Sequence, residues 1–185
     1  MKKSGLLLLF ILCAFTGCNK ENPNGDEKNF VPTDVIVGIK SDCTIDKVFG
    51  FVNSLDHEFD NIHYQIFASD LPSDSLQYVL DYLNAKGHKN DGTAWSVTGY
   101  LNYKTKVITI FPKFINIRNS DYQNDWLESM KVLKLKDITY LETSGCVILF
   151  HVPQGEEKIW VKKFEANDFV DWAELNYIVD INRFP

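Results

Sequence analysis

The chain has 185 residues, 19 basic against 25 acidic, for a formal charge of −6. That balance argues against nucleic acid or an anionic lipid surface as a partner, since both need a basic face. The length suits one domain with a sizeable core, or two very small ones.

Met1-Lys2-Lys3 is a short positive region, and Leu6 to Leu12 is an apolar run of signal-peptide length. At roughly ten residues it is too short to span a bilayer as a mature helix. Phe15-Thr16-Gly17-Cys18 follows and resembles the lipobox of bacterial lipoproteins, with Phe15 where Leu is more usual. The resemblance implies cleavage of residues 1–17 and acylation of Cys18, so that the partner at this end is a membrane. An ordinary secretory signal with an incidental cysteine is the alternative. Asn19 is not the Asp that retains such proteins in the inner membrane, so the resemblance implies the cell envelope and, within it, the outer membrane. Residues 18–32 are rich in Asn, Glu, Lys, Asp, Pro and Gly and read as a flexible tether. Loss of Lys2 and Lys3 with the signal lowers the formal charge to −8.

Residues 33–185 read as a single α+β domain. Asp34 to Lys40 alternates Val35, Val37 and Ile39 and predicts a strand. Thr44 is a good N-cap, and Ile45, Val48, Phe49, Val52 and Leu55 share one helical face. Asn61 to Ser69, with Ile62, Tyr64 and Ile66 alternating, predicts a second strand. Residues 70–144 read as an insertion that either joins the main sheet or forms a second small domain. In it Ser73 caps a helix bearing Leu76, Val79, Leu80 and Leu83 and ended by Gly87. Trp95 to Tyr103 and Lys106 to Ile117 predict a hairpin, and Pro112 assigns part of its second arm to an edge or bulge. Ser120 caps a further helix carrying Trp126, Leu127, Met130 and Leu133.

Gly145 to Ile181 reads as strand, helix, strand. Val147 to Val152 is an apolar run ended by Pro153 and Gly155. Glu156 and Glu157 suit the positive end of a helix dipole, Trp160 and Phe164 share the buried face, and Asn167-Asp168 ends the helix. Val170 to Ile181 is the return strand. A βαβ unit of this kind requires parallel strands, and two of them make the βαββαβ arrangement of a ferredoxin-like sandwich carrying the 70–144 insertion.

Val152-Pro153-Gln154-Gly155 before the acidic helix, and Val170-Asp171-Trp172-Ala173-Glu174-Leu175-Asn176-Tyr177 after it, resemble the second half of subtilisin-type propeptides. Trp172 stands where that family more often has Tyr, and Leu175 where it has Pro. The resemblance implies the ferredoxin-like fold and a peptidase-binding surface, with Trp172, Glu174, Asn176 and Tyr177 as candidate partner contacts. In the family the tail lies in the protease cleft. Here Asn182-Arg183-Phe184-Pro185 ends in a proline that fits a subtilase primary pocket poorly, so the match bears on fold more than on inhibition.

Catalytic signatures are few. There is no Gly-x-Ser-x-Gly elbow, no Gly-rich phosphate loop and no Cys-x-x-Cys. His57, Asp60 and His63 lack metal-ligand spacing, and His151 within an apolar strand reads as a sheet residue rather than a base. Asp168, Asp171, Glu174 and Asp180 read as solvated. Trp126, Trp160 and Trp172 fall in core patterns, which leaves Trp95 as the tryptophan free to stack on a ligand. The expectation is therefore a non-enzyme without metal or cofactor: an envelope interaction protein binding a peptidase or another protein. The alternatives are a carbohydrate- or peptide-binding lipoprotein using Trp95, Tyr100 and Tyr103, or an enzyme of unrecognised type. In the ferredoxin-like order the first and third strands are central neighbours, which brings Cys43 and Cys146 to one end of the sheet, as a disulfide or as two separate buried thiols.

Overall fold

The computed structural model describes residues 29–63, 65–86, 96–115, 118–138 and 145–178. The expected signal, Cys18, Gly87, His88, Trp95, Asp180 and the C-terminal tail lie outside them. Strand β1 (Phe30–Ile39) begins inside the stretch read as tether and buries Val35, Val37 and Ile39. Helix α1 (Ile45–Asn53) follows its periodicity, burying Ile45, Val48, Phe49, Phe51 and Val52. Thr44 precedes it as expected but makes no side-chain cap. The Ile45 N–H instead reaches the Asp137 carboxylate at 3.0 Å, 92 residues away in sequence. The stretch predicted as one strand is two, β2 (Glu58–His63) and β3 (Phe67–Ser69).

Within the insertion a 3-10 turn (Ser73–Ser75) leads into α2 (Leu76–Asn84). The hairpin is β4 (Ser96–Leu101) and β5 (Ile108–Ile115). Helix α3 (Ser120–Val132) starts one residue earlier than Ser120 would cap it: Asn119 is the cap, its side chain accepting from the Asp121 N–H at 2.8 Å. A short strand without sequence signal, β6 (Leu135–Asp137), follows. The C-terminal unit is β7 (Cys146–His151), α4 (Glu157–Glu165) and β8 (Val170–Tyr177).

The strands form one sheet, ordered β6-β3-β5-β2-β7-β1-β8, with β4 on β5 off this path. Every pairing is antiparallel. Since β1 lies between β7 and β8, those two run in the same direction without touching. β7 separates β1 from β2 in the same way. The strands of each βαβ unit are thus parallel in direction without being neighbours, and the first and third strands of the two units, β1 and β7, lie side by side and antiparallel. The insertion extends the sheet. Asn61 and Ile62 of β2 face Ile115 and Phe114 of β5, and Phe67 to Ser69 of β3 face Ile110 to Ile108. β5 is therefore an interior strand, not the edge that Pro112 suggests. Pro112 pairs with Val97, whose own N–H and C=O go outward to the Asn84 side chain. Its missing N–H then points to the side on which β2 and β3 pair with β5, where no ladder bond among the described residues is lost.

Four helices pack on one face. Phe51 of α1 and Phe164 of α4 meet Phe150 at 6.0 and 4.9 Å, while Phe49 of α1 and Trp126 of α3 meet Phe114 at 6.1 and 4.7 Å. Val79 and Leu83 of α2 belong to the same core cluster. Trp126 is fully buried as expected, but Trp160 and Trp172 are only half-buried. Trp160 leans out of the α4 seam against His57, with the Lys163 ammonium 3.8 Å from its ring. On the opposite face, where no described helix packs, Ile36, Phe111, Ile115, Val147, Leu149 and Trp172 lie half-buried.

Candidate functional site

Strand alternation sends Val35, Ile148 and Phe150 into the core and their neighbours Asp34, Leu149 and His151 to the open face. Register aligns Asp34 with His151, and His151 in turn with Glu58. The Val35–Leu175 pair sets Asn176 beside Asp34. β2 contributes a bulge: Phe59 faces Phe150 and Ile62 faces Ile148, so Asp60 and Asn61 both stand opposite Leu149. The bulge aims Asp60 at His151.

The result is a polar row across four strands. Asn176 donates from Nδ2 to Asp34 Oδ2 at 2.9 Å. His151 Nδ1 is 3.1 Å from Asp34 Oδ1, and its Nε2 is 2.8 Å from Asp60 Oδ1. With a carboxylate at each nitrogen the imidazolium donates at both positions. The Asp60 bond, seconded by Asp34, raises the His151 pKa against the opposing effect of burial. Beside the row a pocket of about 400 Å³ is lined by Glu58, Phe59, Asp60, Arg118 and His151. Arg118 is held in its lining, donating to the carbonyl of His57 at 2.7 Å and to that of Leu55. The two cations and two exposed carboxylates of this pocket balance. Neither ring nitrogen of His151 is left to take a substrate proton unless Asp60 swings away, so the geometry suits a strand clamp better than a general base.

Of the candidate partner contacts, Trp172, Glu174 and Asn176 share the open face, whereas Tyr177 follows Leu175 on the other parity and is 41 % exposed. Trp172 lies flat over Gly38, where a Cβ would come within 2.3 Å of its ring. Only Asn176 of the four joins the polar row. The carboxylates read as solvated, Asp168, Asp171 and Glu174, are exposed. His57 and His63 do not meet Asp60 as a cluster, and among the described residues no three His, Cys, Asp or Glu side chains converge as a metal site. Asp34 and Arg118 escaped the sequence reading. Asp34 sits on the polar parity of an apolar strand, a signal that was present; Asp60 depends on the bulge, which carries none. Tyr100 stacks on Phe111 at 5.8 Å on the open face, and Tyr103 in the hairpin turn is 79 % exposed. Cys43 and Cys146 lie at the opposite end of β1 and β7, as free buried thiols.

Comparison with family models, curated proteins and solved structures gives no match to this chain.

Proposed function

We propose that the chain is an envelope-tethered, non-catalytic binding protein whose open sheet face docks on another protein, a peptidase being the class that the propeptide resemblance names. The reading takes the β2-β7-β1-β8 half, with α1 and α4 as crossovers, as a ferredoxin-like core carrying the insertion on its β2 side. The observation that carries it is the segregation of four helices to one face, while Ile36, Val147, Leu149 and Trp172 stay half-buried on the other. Contiguous apolar surface of this kind, rimmed by polar groups, is typical of protein interfaces. The rim here is polar and of mixed charge, with Glu58, Asp60, Glu174 and Lys113 exposed, so the partner surface is apolar with a polar border. The Ile178 N–H donates to the Asn29 carbonyl at 2.8 Å, which sets the start of the described chain beside the end of β8. No described helix is long and apolar enough to cross a membrane, and lipid on Cys18 supplies the anchorage in this reading.

Calorimetric titration of the chain against a panel of purified subtilases tests the proposal, with Leu149→Asp as the variant that charges the centre of the face. Saturable binding to at least one enzyme is expected, weakened tenfold or more by the substitution, about 1.4 kcal/mol, with unchanged circular dichroism. Absence of binding across the panel, or equal binding by parent and variant, counts against it. A carbohydrate-binding reading has one observation in its favour, the Tyr100–Phe111 stack with exposed Tyr103 nearby. Glycan binding abolished by Tyr100→Ala and untouched by Leu149→Asp would select it instead.

A further inference from the structure

The far end of β1 and β7 holds two cysteines that the proposed binding role does not use. Cys146 opens β7 and pairs with Ile39, the last residue of β1. Past Ile39 the chain turns through Ser41 and Asp42, closed by the Cys43 N–H on the Lys40 carbonyl at 3.1 Å. This turn rests directly on the residue before Cys146. A Cβ on Gly145 would stand 2.7 Å from the Lys40 oxygen and 3.0 Å from Ser41 Cα, so glycine lets the turn close down on the start of β7. The Gly145 N–H completes the contact, donating to the Ile39 carbonyl at 2.8 Å. Cys43 is 9 % exposed and Cys146 is 0 % exposed. Burial first, then the neighbouring Cys43 and Asp137, push the Cys146 thiol up to about 12.

We propose that Cys43 and Cys146, free thiols in this structure, are joined by a disulfide when the chain folds in an oxidising compartment, stapling the turn between β1 and α1 to the start of β7. The bond links the first βαβ unit to the second across 103 positions of sequence. The oxidant is a carrier disulfide, small-molecule or dithiol protein. The thiolate of Cys43, the more accessible sulfur, attacks one carrier sulfur; the carrier S–S bond breaks and its other sulfur leaves and takes up a proton. The thiolate of Cys146 then attacks the Cys43 sulfur and expels the second carrier sulfur, which is protonated in turn. Two electrons and two protons pass from the pair of protein thiols to the carrier, which departs reduced, as two thiols or as one dithiol. Bond formation turns Cys43 Sγ away from the Phe169 carbonyl, which it faces at 4.0 Å. A fully buried Cys146 is seldom a thiolate and admits no carrier, so the second step precedes the sealing of β7. The bridge is consequently a folding event and not a reversible switch.

The test uses the full chain exported from its own signal, denatured in an alkylating reagent without reductant and digested with trypsin. Cys43 falls in peptide 41–47 and Cys146 in peptide 137–158, so Cys13 and Cys18 do not interfere. The expected result is one species in which these two peptides are linked, unalkylated until reduced and fully alkylated afterwards. Alkylation of both peptides without reduction, or linkage of either to another cysteine, overturns the proposal. A second measurement follows reduction by dithiothreitol in the native and the urea-unfolded protein. Reduction at least tenfold slower in the native state is expected. Equal rates would overturn the placement of the bond in a sealed site.

Discussion

The same two strands treat ionisable groups in opposite ways at their two ends. β1 and β7 are paired from Asp34 with His151 to Ile39 with Cys146, a span of about 17 Å. At the first end hydrogen bonds outweigh burial. The Asp60 carboxylate holds the His151 charge, and the N–H groups of Thr33 and Gly155, at 2.9 and 3.0 Å, hold the Glu157 carboxylate below its usual value. At the other end burial is the largest influence. It raises Cys43, Cys146 and Asp137 alike, in Asp137 against the opposing bonds from the Ile45 N–H and Gln65 Nε2. The difference is one of supply. The open face and the strand ends near the tether offer donors and solvent, whereas the closed end is roofed by α1 and β6. One end suits a charged surface, the other a neutral staple.

The largest effect is expected at the half-buried Asp137 of the closed end. Asp137→Ala strips the acceptor from the Ile45 N–H and from Gln65 Nε2, at 3.0 and 2.7 Å. Two donors left unpaired in a buried setting cost about 2 to 4 kcal/mol together, read from urea unfolding. Asp137→Asn keeps an acceptor and removes the buried charge, so it is expected within about 1 kcal/mol of the parent. A loss as large as that of alanine would mean that the charge itself is needed, and the contrast between the ends would fail.

Glu157→Ala comes next. It unpairs the N–H groups of Thr33 and Gly155; Thr33, a β-branched residue at φ 74°, depends on that bond and on the Val152 N–H to its carbonyl. A loss of about 1.5 to 3 kcal/mol is expected for bonds to a charged acceptor. Because the folded carboxyl lies below its ordinary 4.5, the contribution is complete above that value and fades as pH falls through the folded one. The gap between parent and variant should narrow on acidification, and a gap independent of pH would detach the effect from ionisation.

The smallest effect is the His151 clamp. Its folded pKa lies above the ordinary 6.5, so its stabilisation is complete below that value and lost as pH rises through the folded one. Asp34, Asp60, Glu58 and Arg118 are the charged groups around it. The difference in Tm between parent and His151→Gln should be larger at about pH 5.5 than at about pH 9. Solvent screening at this half-exposed site keeps it small. The reverse order would place the positive charge of His151 outside the row.

Much of the secondary structure was written locally. Ile45, Val48, Phe49 and Val52 repeat at helical spacing within one window, and α1 formed where they stand. The same holds for the apolar run of β7, the acidic start of α4 and the aromatic return strand β8. Errors arose where two neighbours compete for one role, as Asn119 and Ser120 do for the α3 cap, since both offer an oxygen to the first turn. β6 carried no signal because three residues suffice once β3 presents an edge, and Asp137 there caps a helix from a distant part of the chain.

By itself the sequence determined the apolar periodicities, their chain order and the acidic surface, because each depends on residues a turn or two apart. Only the tertiary structure decided which strands are neighbours, and with that the polar row. Asp60 meets His151 through a bulge between β2 and β7, strands separated by about 90 residues of chain. The helices on one face, the open face opposite and the gap that receives Pro112 are decided in the same way. Register is a contest between whole strands for burial, and a one-residue slip of β1 or of β7 would turn Asp34 or His151, respectively, into the core.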